Sequence, residues 1–225
     1  MSDSTITITV AREMGAGGSY LAQHVAAALN YTYIDREILQ KSAELLRVQT
    51  EQVAGRLERC SSFWERIFST FSTGCPESIY IPPPLAPVPD EELFRTQREV
   101  IKQLTAQGDS VVAGHAGFHI LQDKPNTIHV FVHAPFEDRA RRVMEAYHLP
   151  SLNEAENLVR RTDRERETFV RNVAGVEWRS PHNFDLCINS SRVGLERAGE
   201  IVAELARKVA AGAHSAPANA PAASH

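Results

Sequence analysis

Within nine positions, Ala11-Arg12-Glu13-Met14-Gly15-Ala16-Gly17-Gly18-Ser19 brings together three glycines, a hydroxyl and a cation. Glycines let backbone N–H groups close around an anion, and a helix that begins there adds its partial positive charge. A phosphate-cradling loop of this kind ordinarily ends in Gly-Lys-Ser/Thr, with the lysine reaching the terminal phosphates. Here Gly18 stands in the lysine slot. Ser19 keeps the hydroxyl that such loops offer to Mg²⁺. The dinucleotide spacing Gly-x-Gly-x-x-Gly fails, because Gly15 and Gly17 are followed by Tyr20. A tight strand-to-helix turn with glycines for packing only is the competing reading.

Three further clusters could do chemistry. Asp35-Arg36-Glu37 follows a short β-rich run, and charges at the carboxyl end of a parallel strand face the crevice where α/β proteins bind ligands. Acidic residues also favour a helix start, but Arg36 opposes the dipole there. Val111-Val112-Ala113-Gly114-His115 ends in a histidine aimed at the same crevice, able to meet a phosphate or a base. Arg160-Arg161-Thr162-Asp163-Arg164-Glu165-Arg166, with Arg171, is the densest run of positive charge. It reads either as a solvated helix laced with ion pairs or as a lid carrying arginines onto transferring phosphates.

The elements that must position these residues alternate in type. Five β-rich runs are expected: Thr5–Val10, Tyr31–Ile34, Ser110–Ala113, Thr127–Val132 and Asp185–Ile188. In the fourth, His129, Phe131 and His133 alternate with Ile128, Val130 and Val132, which predicts one less buried face. Helical periodicity covers Ser19–Asn30, Arg36–Val48, Asp90–Gln107, Pro135–Tyr147, Asn153–Asn172 and Gly194–Ala210. Asp90 is placed as an N-cap, and Gly108 where a helix C-terminal glycine belongs. This alternation argues for an α/β domain over residues 1–209 with a five-stranded parallel sheet and crossover helices. Residues 49–108 form an insertion whose segment Cys75–Pro89 reads as a proline-rich extended loop. The alanine-rich end, 210–225, is expected to be disordered.

Composition narrows the function classes. A net charge of -4 gives no reason to expect a nucleic-acid polymer as partner, while a locally basic segment suits a small anion. Cys60, Cys75 and Cys187 make no metal spacing and leave an odd thiol, which argues against a disulfide framework. With no apolar run of membrane-spanning length and no signal-like start, residence in the cytoplasm is expected.

In their order along the chain, these blocks resemble the cytidylate kinase-like family, relatives of the nucleoside monophosphate kinases in the P-loop superfamily. The resemblance spans about Ile6 to Leu205. It is carried by Ala11–Gly18, Tyr33-Ile34-Asp35-Arg36-Glu37, Val112-Ala113-Gly114-His115, Ala134-Pro135-Phe136-Glu137-Asp138-Arg139, Thr162–Arg166 and Asn183–Ser191. It implies a three-layer P-loop NTPase-type fold, an acceptor-binding helical insertion (49–108) and an arginine-rich lid (148–182). The implied activity is Mg²⁺-dependent transfer of the ATP γ-phosphoryl group to a nucleoside monophosphate such as CMP or dCMP. By motif, Gly15, Ala16, Gly17, Gly18 and Ser19 would hold the donor phosphates, Ser19 through Mg²⁺. Asp35, Arg36 and His115 would face the acceptor. Arg12, Arg160, Arg161, Arg164 and Arg166 would neutralise transferring charge. The chain departs from the family pattern at Gly18, where orthodox members carry lysine, at Ser19, where the divergent branch often has arginine, and at His115, where arginine is common. Those departures make weak activity one expectation. A non-catalytic nucleotide-binding or interaction module is its alternative, and a kinase for another small hydroxyl-bearing acceptor a third.

Overall fold

The computed structural model describes residues 5–35 and 91–215. Arg36, the expected helix Arg36–Val48, Asp90 and most of the insertion, including Cys60 and Cys75–Pro89, lie outside the described residues.

Strand β1 (Thr7–Arg12) leads through the glycine loop into α1 (Gly18–Leu29) and then β2 (Thr32–Ile34). The last part of the insertion is α2 (Glu91–Ala106), followed by β3 (Ser110–Ala113) and the short α3 (Gly117–Ile120). β4 (Thr127–His133) precedes α4 (Phe136–Ala146) and the long α5 (Leu152–Ala174). A 3₁₀ turn (Pro181–Asn183), β5 (Leu186–Asn189), α6 (Ser190–Val193) and α7 (Leu195–Ser215) complete the order. The five strands form one parallel sheet in the order β2-β3-β1-β4-β5.

Alternation along β1, β3 and β4 sends branched side chains to one face, where Ile8, Val10, Val111, Ile128, Val130 and Val132 pack on Leu21 and Val25 of α1 and on Ala198, Val202 and Ala206 of α7. Each such branched side chain, fully buried, contributes about 1.5–3 kcal/mol. On the opposite face, Ile34 and Val112 meet Val100, Ile101 and Leu104 of α2. Beside them Ala11 and Phe131 pack with Phe118, Val170 and Trp178. Two covered faces make three layers, as the family resemblance implies.

Several expectations are corrected. β1 runs from Thr7 to Arg12, so Arg12 belongs to the strand that feeds the loop. The second face of β4 is more covered than its alternation suggests: Phe131 is buried, with Trp178 edge-on at 5.7 Å and Phe184 at 5.0 Å, while His129 and His133 are half-buried. Gly108 follows α2 without a left-handed φ, so no glycine-specific cap is formed there. α7 continues to Ser215, past the expected disorder boundary at 210, because its alanines sustain helix. Residues 216–225 lie outside the described residues.

Candidate active site

The glycine loop bends because Gly15 (φ 76°) and Gly17 (φ 80°) adopt left-handed conformations that a side chain makes costly. A Cβ on Gly15 would stand 2.6 Å from the Arg139 carbonyl, and one on Gly17 would stand 2.7 Å from Leu195. Three amides near the turn are satisfied: Glu13 N–H donates to the Val132 carbonyl, Met14 N–H to Asp163 Oδ1, and Ala16 N–H to the Glu13 carbonyl. Among the described residues, the N–H groups of Gly15, Gly17, Gly18, Ser19 and Tyr20 find no acceptor. Unmet donors gathered at a helix N-terminus are what a phosphate needs. Tyr20 does not close the loop; it is 45% exposed and stacks on His24 at 6.1 Å.

Arg12 crosses the head of α1. A Cβ on Gly18 would collide with Arg12 Cβ and would lie 2.8 Å from its Cγ. At the far end of the side chain, a Cβ on Gly114 would collide with Nη1. The guanidinium therefore runs between two glycines, from the end of β1 to the end of β3. Its Nη2 lies 3.9 Å from Asp35 Oδ2, an ion pair too long to be a hydrogen bond, and its buried Nε has no partner. His115 Nε2 is 3.3 Å from Asp35 Oδ1, and the Tyr33 hydroxyl donates to Oδ2 at 3.0 Å. Burial pushes the Asp35 carboxyl up. The His115 hydrogen bond, the Arg12 and His115 charges and the Tyr33 hydroxyl together outweigh it, so the group titrates below the usual carboxylate range. Burial and the Asp35 charge push the Tyr33 hydroxyl up, which keeps it a donor. Gly114, His115 and Ala116 are consecutively left-handed (φ 80°, 55° and 53°), a strained corner that aims His115 back at Asp35.

A second polar cluster fastens the loop from the other side. Arg139 donates to Asp163 (2.6 Å), to the Met14 carbonyl (3.1 Å) and to the Ala134 carbonyl (3.0 Å), and pairs with Glu13 at 3.3 Å. Arg179 donates to Glu13 at 2.9 Å and to Asp163 at 3.2 Å. Two carboxylates and two guanidiniums thus alternate around the loop base. Ser190 and Ser191, at the end of β5, accept from Arg142 at 3.1 and 3.0 Å.

The arginines of α5 are spread around this cluster. Arg160 lies over the Phe136 ring at 4.0 Å. Arg164 lines a polar cleft of about 210 Å³ with Arg139, Arg160, Arg179, Asp163 and Glu167. Arg166 donates to the Arg12 carbonyl at 2.8 Å. Arg161 is exposed and close enough to Glu165 to lower that carboxyl against the larger effect of burial. α5 is capped by Ser151, which accepts from Glu154 N–H, and by left-handed Gly175; Ala155 and Val159 bury it against Val143 of α4. The segment expected as a lid is here a packed helix.

Arg12, Asp35 and His115 meet as one group beside the loop residues Gly15–Ser19, whereas Arg160 and Arg164 sit across the loop base. Arg36 lies outside the described residues. Arg179 was not singled out from sequence, and Glu13, Arg139 and Asp163 only as parts of longer motifs, since their partners are far along the chain. Among the described residues no group of three or more His, Cys, Asp or Glu side chains could hold a metal ion, and the hydroxyl-bearing Ser19 is half-buried at the head of α1.

Comparison with known proteins agrees with this arrangement. The model of the cytidylate kinase-like family matches residues 7–192. The fold is similar to that of an uncharacterized protein from Eubacterium ventriosum ATCC 27560, at 20% identity and TM-score 0.63, over 90% of this chain and 99% of that one. It is also similar to a gluconokinase from Sinorhizobium meliloti 1021, at 16% identity and TM-score 0.50, over 92% of this chain and 96% of that one. No curated protein sequence matches. With its parallel sheet, its glycine loop and a match along most of its length, this chain belongs to the cytidylate kinase-like family.

Proposed function

We propose that the protein transfers the γ-phosphoryl group of ATP to a nucleoside monophosphate, CMP or dCMP being the acceptors its family suggests. The observation that carries this is the cluster of unmet amides at Gly15, Gly17, Gly18, Ser19 and Tyr20, at the positive end of α1. Those amides, with Ala16 holding the turn between them, would grip the donor phosphates, and Ser19 would hold Mg²⁺. The metal would supply charge neutralisation on the phosphates. Asp35 and His115, with Arg36 next in sequence, would face the acceptor. Arg160, Arg161, Arg164 and Arg166 would offset charge on the transferring group, since phosphoryl transfer depends mostly on positioning and electrostatic stabilisation.

A second reading, nucleotide binding without turnover, is favoured by the engagement of Arg160 with Phe136 and of Arg166 with the Arg12 carbonyl. Coupled ADP-release assays with CMP, dCMP, UMP and AMP, run beside calorimetric titration of Mg·ATP, separate the two. Acceptor-dependent ADP release supports the kinase. Binding without turnover supports the second reading, and an absence of both would remove the proposal.

A further inference from the structure

The missing lysine raises a physical question: what neutralises the terminal phosphates of a donor held at this loop? In the sheet, β1 and β3 are neighbours, yet the chain leaves them in opposite directions. β1 leads through α1 to β2 at one edge, and β3 leads through α3 to β4 on the other side of β1. Ligands of open α/β sheets bind in the crevice at such a point. Arg12 lies across this crevice, its stem against Gly18 and its guanidinium against Gly114.

Its path and the glycine pattern explain each other. The Arg12 stem occupies the space that the first carbon of any side chain at position 18 would need, and its Nη1 occupies the corresponding space at Gly114. Unlike Gly17 and Gly114, Gly18 has no left-handed φ, so its backbone alone does not require glycine. The requirement comes from the first two stem carbons of residue 12, Cβ and Cγ. The guanidinium is also poorly satisfied: it sits 3.9 Å from Asp35, its Nε is unpartnered, and Asp35 already accepts from His115 and Tyr33.

We infer that Arg12 delivers from the sheet the positive charge that an orthodox phosphate loop delivers from its helix, and that Gly18 and Gly114 are side-chain-free so that it can pass. Asp35 is its resting partner in the absence of donor phosphates. This rests on the donor-binding reading above and adds to it which residue takes the lysine's place. It also accounts for the pairing of Gly18 with a strand-end arginine, since a lysine at 18 and an arginine at 12 compete for one space.

The test is a relocation of charge. Mg·ATP and AMP are titrated into the wild type, Arg12→Ala, Arg12→Gly, Gly18→Lys and the double variant Arg12→Gly/Gly18→Lys, in which no Cβ remains at position 12 to meet the new one, with thermal melts to verify folding. Arg12→Ala is expected to weaken ATP binding on the order of ten- to a hundredfold, the range of a charged hydrogen bond, and to weaken AMP binding less. Gly18→Lys alone is expected to weaken it too, because the new stem displaces Arg12. The double variant should recover to within about threefold of wild type, a coupling of the kind that residues in contact show. Arg12→Gln keeps the stem and removes the charge, so it carries the test if Arg12→Ala does not fold. If wild type binds ATP while Arg12→Ala and Arg12→Gln bind equally well, or if the double variant is no better than the worse single one, the inference is overturned and the donor-binding reading stands. If wild type binds no ATP, both fall.

Discussion

Replacing Asp163 by alanine should cost the fold several kcal/mol, about the range for one partner of a buried ion pair. Its side chain is 7% exposed and satisfies three groups at once: Met14 N–H at 2.8 Å, Arg139 at 2.6 Å and Arg179 at 3.2 Å. Removing one member of a buried ion pair typically costs about 3–5 kcal/mol, because the other charge is left uncompensated. Here Arg139 keeps Glu13 and two carbonyls, and Arg179 is 40% exposed and can turn to water, so the lower end applies. A loss of about 3 kcal/mol, at roughly 2–4 °C per kcal/mol for a domain of this size, lowers the melting temperature by about 6–12 °C. Urea denaturation followed by circular dichroism gives the free energy directly. Asp163→Asn should fall between, since it retains an acceptor for Met14 N–H but loses the charge facing Arg139. A loss below about 1 kcal/mol for Asp163→Ala would refute the reasoning, because it would mean that the interior readily rehydrates Arg139.

Other outcomes follow from the same geometry. Gly17→Ala should destabilise the fold by more than about 1 kcal/mol and weaken Mg·ATP binding, since it combines a left-handed φ with a methyl group 2.7 Å from Leu195. Adding Leu195→Ala should relieve the clash but not the backbone cost, so in thermal melts the double variant should fail to regain what Gly17→Ala lost. For Asp35, the folded carboxyl titrates below its ordinary 3.8. Its stabilising contribution is therefore complete above that value and disappears as pH falls through the folded one. Chemical denaturation from pH 7 downward should show wild type losing stability below about pH 4, and Asp35→Asn losing less over the same window. Equal slopes for the two proteins would refute that account.

Much of the scaffold was legible because it depends on local patterns. Thr7–Arg12, Ser110–Ala113 and Thr127–His133 are β-branched or alternating runs, and each appears in the sheet within a few residues of its expected position. Leu21 and Val25 repeat at helical spacing and are fully buried under that sheet. Errors came where tertiary context overrides periodicity and where composition was read as disorder despite alanine's helix propensity. The alternation of β4 gave no sign that Trp178, from a distant turn, would help to bury Phe131. The composition of the last residues suggested disorder from 210, yet α7 carries its helix through to Ser215.

Taken by itself, the amino-acid order determined that a strand, a glycine turn and a helix would follow one another at the start of the domain, because backbone sterics and side-chain period act over a few residues. It also revealed that lysine was missing from the turn. Only the tertiary structure decided where Arg12 goes, that Gly18 and Gly114 make room for it, and that Glu13, Arg139, Asp163 and Arg179 close around the loop base. Those contacts join residues far apart in the chain, up to 166 positions between Glu13 and Arg179. The physical reason is that charge pairing depends on distance in space, which is set by how strands and helices pack and not by the local spacing of the charges.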